Sequence, residues 1–206
     1  MQGVYGVFSI QAAPADDEAR QGKNVADAAS AAGIQHFVYT SVQSAEDLAR
    51  VGGDATKWEL EQYIHALGLP ATILRPCFFM ETLIAPRSDV PGGTSSGTFA
   101  MAIGPDVAMG LIAADDIGAF AALAFEHPEE YLGKTIEIAG DALTPPQIAA
   151  AISRVTGHSI QYVQIPIETL RQQNAEIARS IDFLNQMQRR VIQSSPSHLD
   201  AHSSRS

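Results

Sequence analysis

Cysteine, clustered basic residues and long apolar runs are all scarce in this chain, and each scarcity removes a class of protein. A single cysteine, Cys77, in 206 residues rules out an internal disulfide and fits a reducing, cytoplasmic compartment. Lys and Arg number 13 against 23 Asp and Glu, a formal net charge of −10, with no basic block. Nucleic acid is not an expected partner, because neutralising phosphates takes clustered Lys and Arg. No run approaches the ~20 apolar residues of a membrane helix, so no membrane partner is expected. The opening MQGVYGVFSI has no basic region and no small-residue cleavage site, and reads as mature sequence rather than a signal peptide. The six histidines show no paired spacing, so no zinc site and no other metal is expected. No serine-hydrolase elbow, Gly-x-Ser-x-Gly at a strand-to-helix turn, is expected.

What is present is an alternation of strand and helix patterns. Apolar residues make up 46% of the chain, enough for a real core in one domain or one domain with a small lobe. Residues 4–10 (VYGVFSI) read as a buried strand. Pro14 and Asp16 open a helix to about Ala32, closed by Gly33. Residues 36–41 and 71–75 read as the next strands, with a helix between them capped by Asp54 and closed by Gly68. Helices of this length between strands imply right-handed βαβ units and a parallel sheet. Further on, residues 85–97 read as a Pro/Gly/Ser-rich loop, and Asp115 or Asp116 starts a helix that Pro128 stops. Residues 134–139 are a strand, Thr144-Pro145 opens a helix to Gly157, and residues 160–165 are a short strand. Residues 168–192 are helical with a break near Asn174, and residues 194–206 read as a disordered tail.

In a parallel α/β sheet, ligands sit outside the carboxyl ends of the strands. The strand at 36–41 ends in Thr40-Ser41, a helix then carries Lys57, and the strand at 71–75 runs into Pro76-Cys77-Phe78-Phe79. Three neighbouring segments thus aim at one crevice. Each residue has a plainer reading. Lys57 pairs with Glu61 at the i,i+4 spacing on a solvated helix face. Thr40 and Ser41 bond their own backbone at a strand end. Phe78 packs in a core. Cys77 is an inert buried thiol, and Arg75 makes a structural ion pair.

Three strings, ARQGKNVADAASAAGIQHFVYTSV, TKWELEQYIHALGLPATILRPCFFME and LIAADDIGAFAALAFEHPEEYLGKTIEIAGDALTPPQIAAAI, resemble the NmrA-like family, atypical relatives of the short-chain dehydrogenase/reductases. The resemblance covers residues 4 to about 170. It implies an α/β fold, a Rossmann-like parallel sheet with a smaller C-terminal α+β lobe, and NADP or NAD as cofactor. Under it, residues 1–193 form one incomplete domain. Residues 1–84 and 107–140 make the Rossmann-like part, and 85–106 and 141–193 the substrate lobe. Some family members are quinone or aldehyde-type reductases, and others are redox-sensing regulators that meet a protein partner.

The resemblance also implies roles. Lys57 and Ser41 become candidate catalytic residues. Ser9, Gln11, Thr40, Lys57, Pro76, Cys77 and Phe78 become candidate cofactor contacts, and Phe79 and Met80 candidate substrate contacts. A small carbonyl or quinone is the implied substrate. The departures are as informative. Residues 4–10 resemble the family's fourth strand, so the first three strands are expected to be missing, with the Gly-x-x-Gly-x-x-Gly turn that would hold the pyrophosphate. Gly53 stands four residues before Lys57, where the Tyr-x-x-x-Lys pair of the classical enzymes needs tyrosine. Weak or absent cofactor binding is therefore expected of this chain. Its uncovered first strand invites self-association into a homo-oligomer.

Overall fold

Strand β1 (Gly6–Ser9), helix α1 (Ala15–Ala32) and strand β2 (His36–Thr40) form the first βαβ unit of the computed structural model, which describes residues 3–11, 15–84, 93–95 and 97–194. Short helix α2 (Ala45–Arg50) and helix α3 (Thr56–Ala66) lead to β3 (Ala71–Pro76). Then come β4 (Phe78–Phe79), α4 (Met80–Ile84), β5 (Gly93–Ser95), β6 (Thr98–Met101), β7 (Met109–Ile112), α5 (Ala114–Glu126) and α6 (Pro128–Tyr131). The chain continues through β8 (Thr135–Ile138), β9 (Asp141–Leu143), α7 (Pro145–Thr156), β10 (Gln161–Gln164), α8 (Ile167–Gln173) and α9 (Ala175–Ser194).

The main sheet is parallel, in the order β1-β2-β3-β8, with Val7 opposite Phe37, Tyr39 opposite Ile73 and Leu74 opposite Ile136. Every residue of β2 is buried, as a central strand covered on both faces requires. The period of two sorts its side chains. Phe37, Tyr39 and Ile73 pack under Ala26 and Ala29 of α1 and Leu60 and Ile64 of α3. Val38, Leu74 and Ile138 pack on the other face under Ile117, Ala121 and Ala124 of α5. Two three-stranded sheets, β4-β7-β9 and β10-β6-β5, build the remainder. Phe99, Met109 and Leu111 pack there with Ile148 and Ala149 of α7, and α8 and α9 close over Ala102 through Leu170 and Ala178.

The helix signals sit where their chemistry puts them. Gly33, at φ 61°, takes the left-handed conformation after α1 that a side chain would resist. The Thr144 backbone N–H donates to the Gln147 side chain at 2.8 Å, with Pro145 at the start of α7. Asn174 interrupts the last helical stretch, and its side chain accepts from the N–H groups of Glu176 and Ile177. Two caps differ from expectation. Asp115 and Asp116 lie inside the first turn of α5. The cap comes from Glu81, whose carboxylate accepts the Ala114 N–H at 2.9 Å. Asp54 accepts the Thr56 N–H at 2.8 Å, and the helix starts at Thr56. Pro14 and the tail from residue 195 lie outside the described residues, as does most of the expected loop at 85–97, where residues 93–95 form β5; α9 runs to Ser194.

At one edge of the main sheet, β1 has no further strand beside it among the described residues. Val4, Tyr5, Phe8 and Ile10 are 41 to 50% exposed along this edge. An apolar, uncovered strand is a template for pairing with another chain.

Candidate functional site

The carboxyl ends of β1 and β2 meet the first turns of α1 and α3, and Lys57 joins all four. Its ammonium lies 2.6 Å from Glu18, 3.3 Å from the Thr40 carbonyl and 3.5 Å from the Gln11 carbonyl, with the Tyr39 ring centre at 5.6 Å. The lysine is only 16% exposed and the glutamate 10%. The two carbonyls accept hydrogen bonds from the ammonium, and Glu18 meets it as an ion pair. The plainer pairing with Glu61 does not occur, because Ser41 and Arg75 engage Glu61. Ser9 and Gln11 complete the corner, with the Gln11 amide donating to the Ser9 hydroxyl at 2.7 Å. Four buried polar atoms here have no hydrogen-bond partner among the described residues: Gln11 Oε1, Thr40 Oγ1, the Tyr39 hydroxyl, and Glu18 Oε1, which has only its ion pair with Lys57. Burial, and then the nearby Glu18, push the Tyr39 hydroxyl well above its ordinary pKa.

Ser41 points into a second cluster. Its hydroxyl donates to Glu61, which also accepts from Arg75 at 3.0 Å (Nε) and 2.7 Å (Nη2). Glu61 is 1% exposed, and the guanidinium stacks 5.8 Å from the Trp58 ring centre. The hydrogen bond to Glu61 raises the Arg75 pKa further. The Ser41 side chain is thus bonded to Glu61 rather than to its own backbone. The ion pair expected of Arg75 is this one.

Past Pro76 the chain borders a cavity of about 220 Å³. Val42 and Leu48, Cys77 and Phe78, and Ile177 and Leu184 of α9 line it, with Gln43 and Ser180 between them. A smaller void of about 30 Å³ shares Gln43, Phe78 and Leu184. Burial pushes the Cys77 thiol up, so it stays protonated and inert. Phe78 and Met80 pack in the core around Phe99, while Phe79 packs against the α5 face of the main sheet.

The structure therefore divides the candidates. Ser9, Gln11, Thr40 and Lys57 share one corner, Ser41 belongs to the Glu61 cluster, and Cys77 and Phe78 wall the cavity. Glu18, Gln43 and the α9 residues were not singled out from the sequence. Glu18 left a legible signal: it lies on the buried stripe 18, 22, 26, 29 of α1, a charge on an apolar face. The string Gly93-Thr94-Ser95-Ser96-Gly97 does carry the letters Gly-x-Ser-x-Gly, against expectation. It joins antiparallel β5 and β6 rather than a strand and a helix, so it is no nucleophile elbow. No cluster of metal-binding side chains exists among the described residues, and no helix there is long and apolar enough to cross a membrane.

The NmrA-like family model matches residues 1–201. The chain belongs to the NmrA-like family. It is 30% identical over 184 residues to the nitrogen metabolite repression protein nmrA of Emericella nidulans, covering 80% of this chain and 50% of that protein. A crystal structure of NmrA, a negative transcriptional regulator, in complex with NAD superposes with a TM-score of 0.71 at 27% identity, over 86% of this chain and 60% of that one. The NADPH complex of quinone oxidoreductase QOR2 from Escherichia coli superposes with a TM-score of 0.68 at 25% identity, over 91% and 64%. The chain spans about half the length of the curated relatives it matches. The proteins it resembles thus include a regulator seen with NAD and a quinone reductase seen with NADPH.

Proposed function

We propose that this chain carries the nicotinamide-facing and substrate-facing part of an NAD(P)(H)-binding NmrA-like protein that reduces a small quinone or other carbonyl. The observation that carries this reading is the apolar cavity bounded by Cys77 and Phe78 beyond the carboxyl end of β3. Its size lies below the roughly 300–1,000 Å³ of sites for drug-sized ligands and suits a single ring.

The cofactor would hand a hydride to the substrate. The unpartnered Gln11 Oε1 and Thr40 Oγ1 support a polar ligand at the strand ends, with Lys57 beside them. Ser9 would steady Gln11, and the backbone at Pro76, Cys77 and Phe78 would face the carboxamide. Phe79 and Met80 would shape the substrate side from behind the wall, through their packing. Nothing among the described residues replaces the glycine-rich turn for the pyrophosphate.

The substrate follows from acid chemistry. No tyrosine stands four residues before Lys57, and Ser41 is committed to Glu61. Hydride addition to a ketone or aldehyde leaves a strongly basic alkoxide that needs a general acid. Addition to a quinone leaves an aromatic phenolate, which water can protonate. A site short of acids therefore favours quinones. The same shortage supports a second reading, a non-enzymatic redox-sensing module that meets a protein partner. NADPH oxidation by the chain at millimolar cofactor, with matched panels of quinones and aldehydes, separates them. Turnover of quinones above aldehydes is expected. No turnover with any acceptor would leave the regulatory reading or an inactive fragment.

A further inference from the structure

Every polar side chain lining the cavity is accounted for except one. The Ser180 hydroxyl donates to the Glu176 carbonyl, and the Cys77 thiol is held neutral by burial. The Gln43 side-chain amide has no hydrogen-bond partner among the described residues, although it borders both the cavity and the smaller void beside it. The backbone that carries it is pinned. Its backbone N–H donates to the Pro76 carbonyl at 2.9 Å. Two residues before it, Ser41 is bound to Glu61, and one residue after it the Ser44 N–H donates to Glu137 at 3.0 Å. Ser44 itself sits at φ 56°, a left-handed conformation that a non-glycine residue keeps only when its neighbours enforce it. Gly110, which lines the smaller void, leaves space beside the amide. A Cβ there would stand 3.0 Å from the Cys77 Cβ and 3.7 Å from Gln43 Oε1.

We propose that Gln43 is the orienting residue of the cavity, its amide N–H donating to one carbonyl oxygen of a planar, single-ring quinone held between Phe78 and α9. A pinned loop, an unpaired amide and aliphatic walls form the pattern of an apolar ligand site, in which a few placed polar groups set orientation. Leu48, Ile177 and Leu184 would contact the ring and its substituents, and Gln43 would choose a carbonyl over a plain hydrocarbon. The inference rests on the proposed reductase reading only for the class of ligand.

The test uses the isolated chain without cofactor and two probes of one shape, duroquinone and durene. Duroquinone has every ring carbon substituted, so it cannot be captured by thiol addition at Cys77. Binding is followed by ligand-observed NMR titration to the wild type and to Gln43→Leu, with circular dichroism to confirm the fold. Gln43→Leu should weaken duroquinone about tenfold, which is ~1.4 kcal/mol, and leave durene as tight or tighter. Leu184→Trp, which fills the cavity, should abolish binding of both. Equal duroquinone affinity in wild type and Gln43→Leu overturns the proposal, as does equal weakening of both probes, no duroquinone binding, or binding that survives Leu184→Trp. Quinone turnover with a KM unmoved by Gln43→Leu would sink this inference and spare the reductase reading. Gln43-dependent binding without any turnover would do the reverse.

Discussion

Lys57 of α3 and Glu18 of α1 meet at 2.6 Å, and the pair ties the first turns of two helices together across the ends of β1 and β2. A lysine in the first turn of a helix faces the positive end of the helix dipole, so alone it is ill placed. Glu18 offsets both that field and the loss of water around the ammonium. The residue with the strongest claim to chemistry is thus also a structural tie, and its loss has consequences beyond activity.

Lys57→Ala should destabilise the fold by about 1–3 kcal/mol, because Glu18 would keep its burial and lose its partner. An exposed lysine would cost only a few tenths. Urea denaturation of Lys57→Ala and of the double variant Lys57→Ala/Glu18→Gln measures this. The double variant should recover part of the loss. An unmoved midpoint in Lys57→Ala would return the lysine to a solvated helix face.

Glu61→Ala should cost more, about 3–5 kcal/mol, since it strands a mostly buried guanidinium and the Ser41 hydroxyl together. Glu61→Gln keeps one oxygen acceptor and should cost less. The order of the two denaturation midpoints decides the matter, and equal midpoints would mean that Arg75 finds water instead.

His36 should make stability depend on pH. Thr72 Oγ1 donates to the Tyr131 carbonyl at 2.8 Å, so at its 2.8 Å contact with His36 Nε2 it must accept, which places the imidazole proton on Nε2. Nδ1 is then a buried atom without a hydrogen-bond partner among the described residues, and burial lowers the pKa from its ordinary 6.5. Below about pH 6.5 the unfolded chain takes up a proton before the folded one does. The stability from neutral His36 is complete above pH 6.5 and is lost as pH falls through the lowered folded value. Chemical denaturation from about pH 8 to about pH 5 should show this fall, and His36→Gln should flatten it. The same slope in both proteins would assign the effect to other groups.

NADPH should bind the 206-residue chain weakly or not at all. A charge-assisted phosphate contact is worth about 1.5–3 kcal/mol, and the chain has no glycine-rich turn to provide several of them. Titration calorimetry checks this directly. Low-micromolar affinity would show that some other backbone cradles the pyrophosphate.

The edge at β1 should drive self-association. Val4, Tyr5, Phe8 and Ile10 are exposed beside unpaired strand backbone. Sedimentation velocity should show larger species as concentration rises, and Phe8→Lys should suppress them. A compact monomer at every concentration, with a melt independent of concentration, would contradict this.

The sequence alone determined the main βαβ frame, because its signals are local. The buried run at His36–Thr40, the left-handed glycines after α1 and α3, and Thr144-Pro145 before α7 each act within a few residues of chain. The family was legible for the same reason, since its three strings keep their order and spacing. What the sequence could not carry was pairing across distance. The short α2 and strands β4 to β7 hold only two to six residues each, too few for a periodicity to register, and β4, β6 and β7 exist because partners far along the chain complete their ladders. The site followed the same division. Thr40, Lys57 and Cys77 could be placed near strand ends by pattern alone. Only the tertiary structure decided that Lys57 answers to Glu18, Ser41 to Glu61, and that α9 closes an apolar cavity over Gln43. A charge chooses its partner by proximity and burial in three dimensions, and an i,i+4 spacing offers only one of the partners that folding brings within reach.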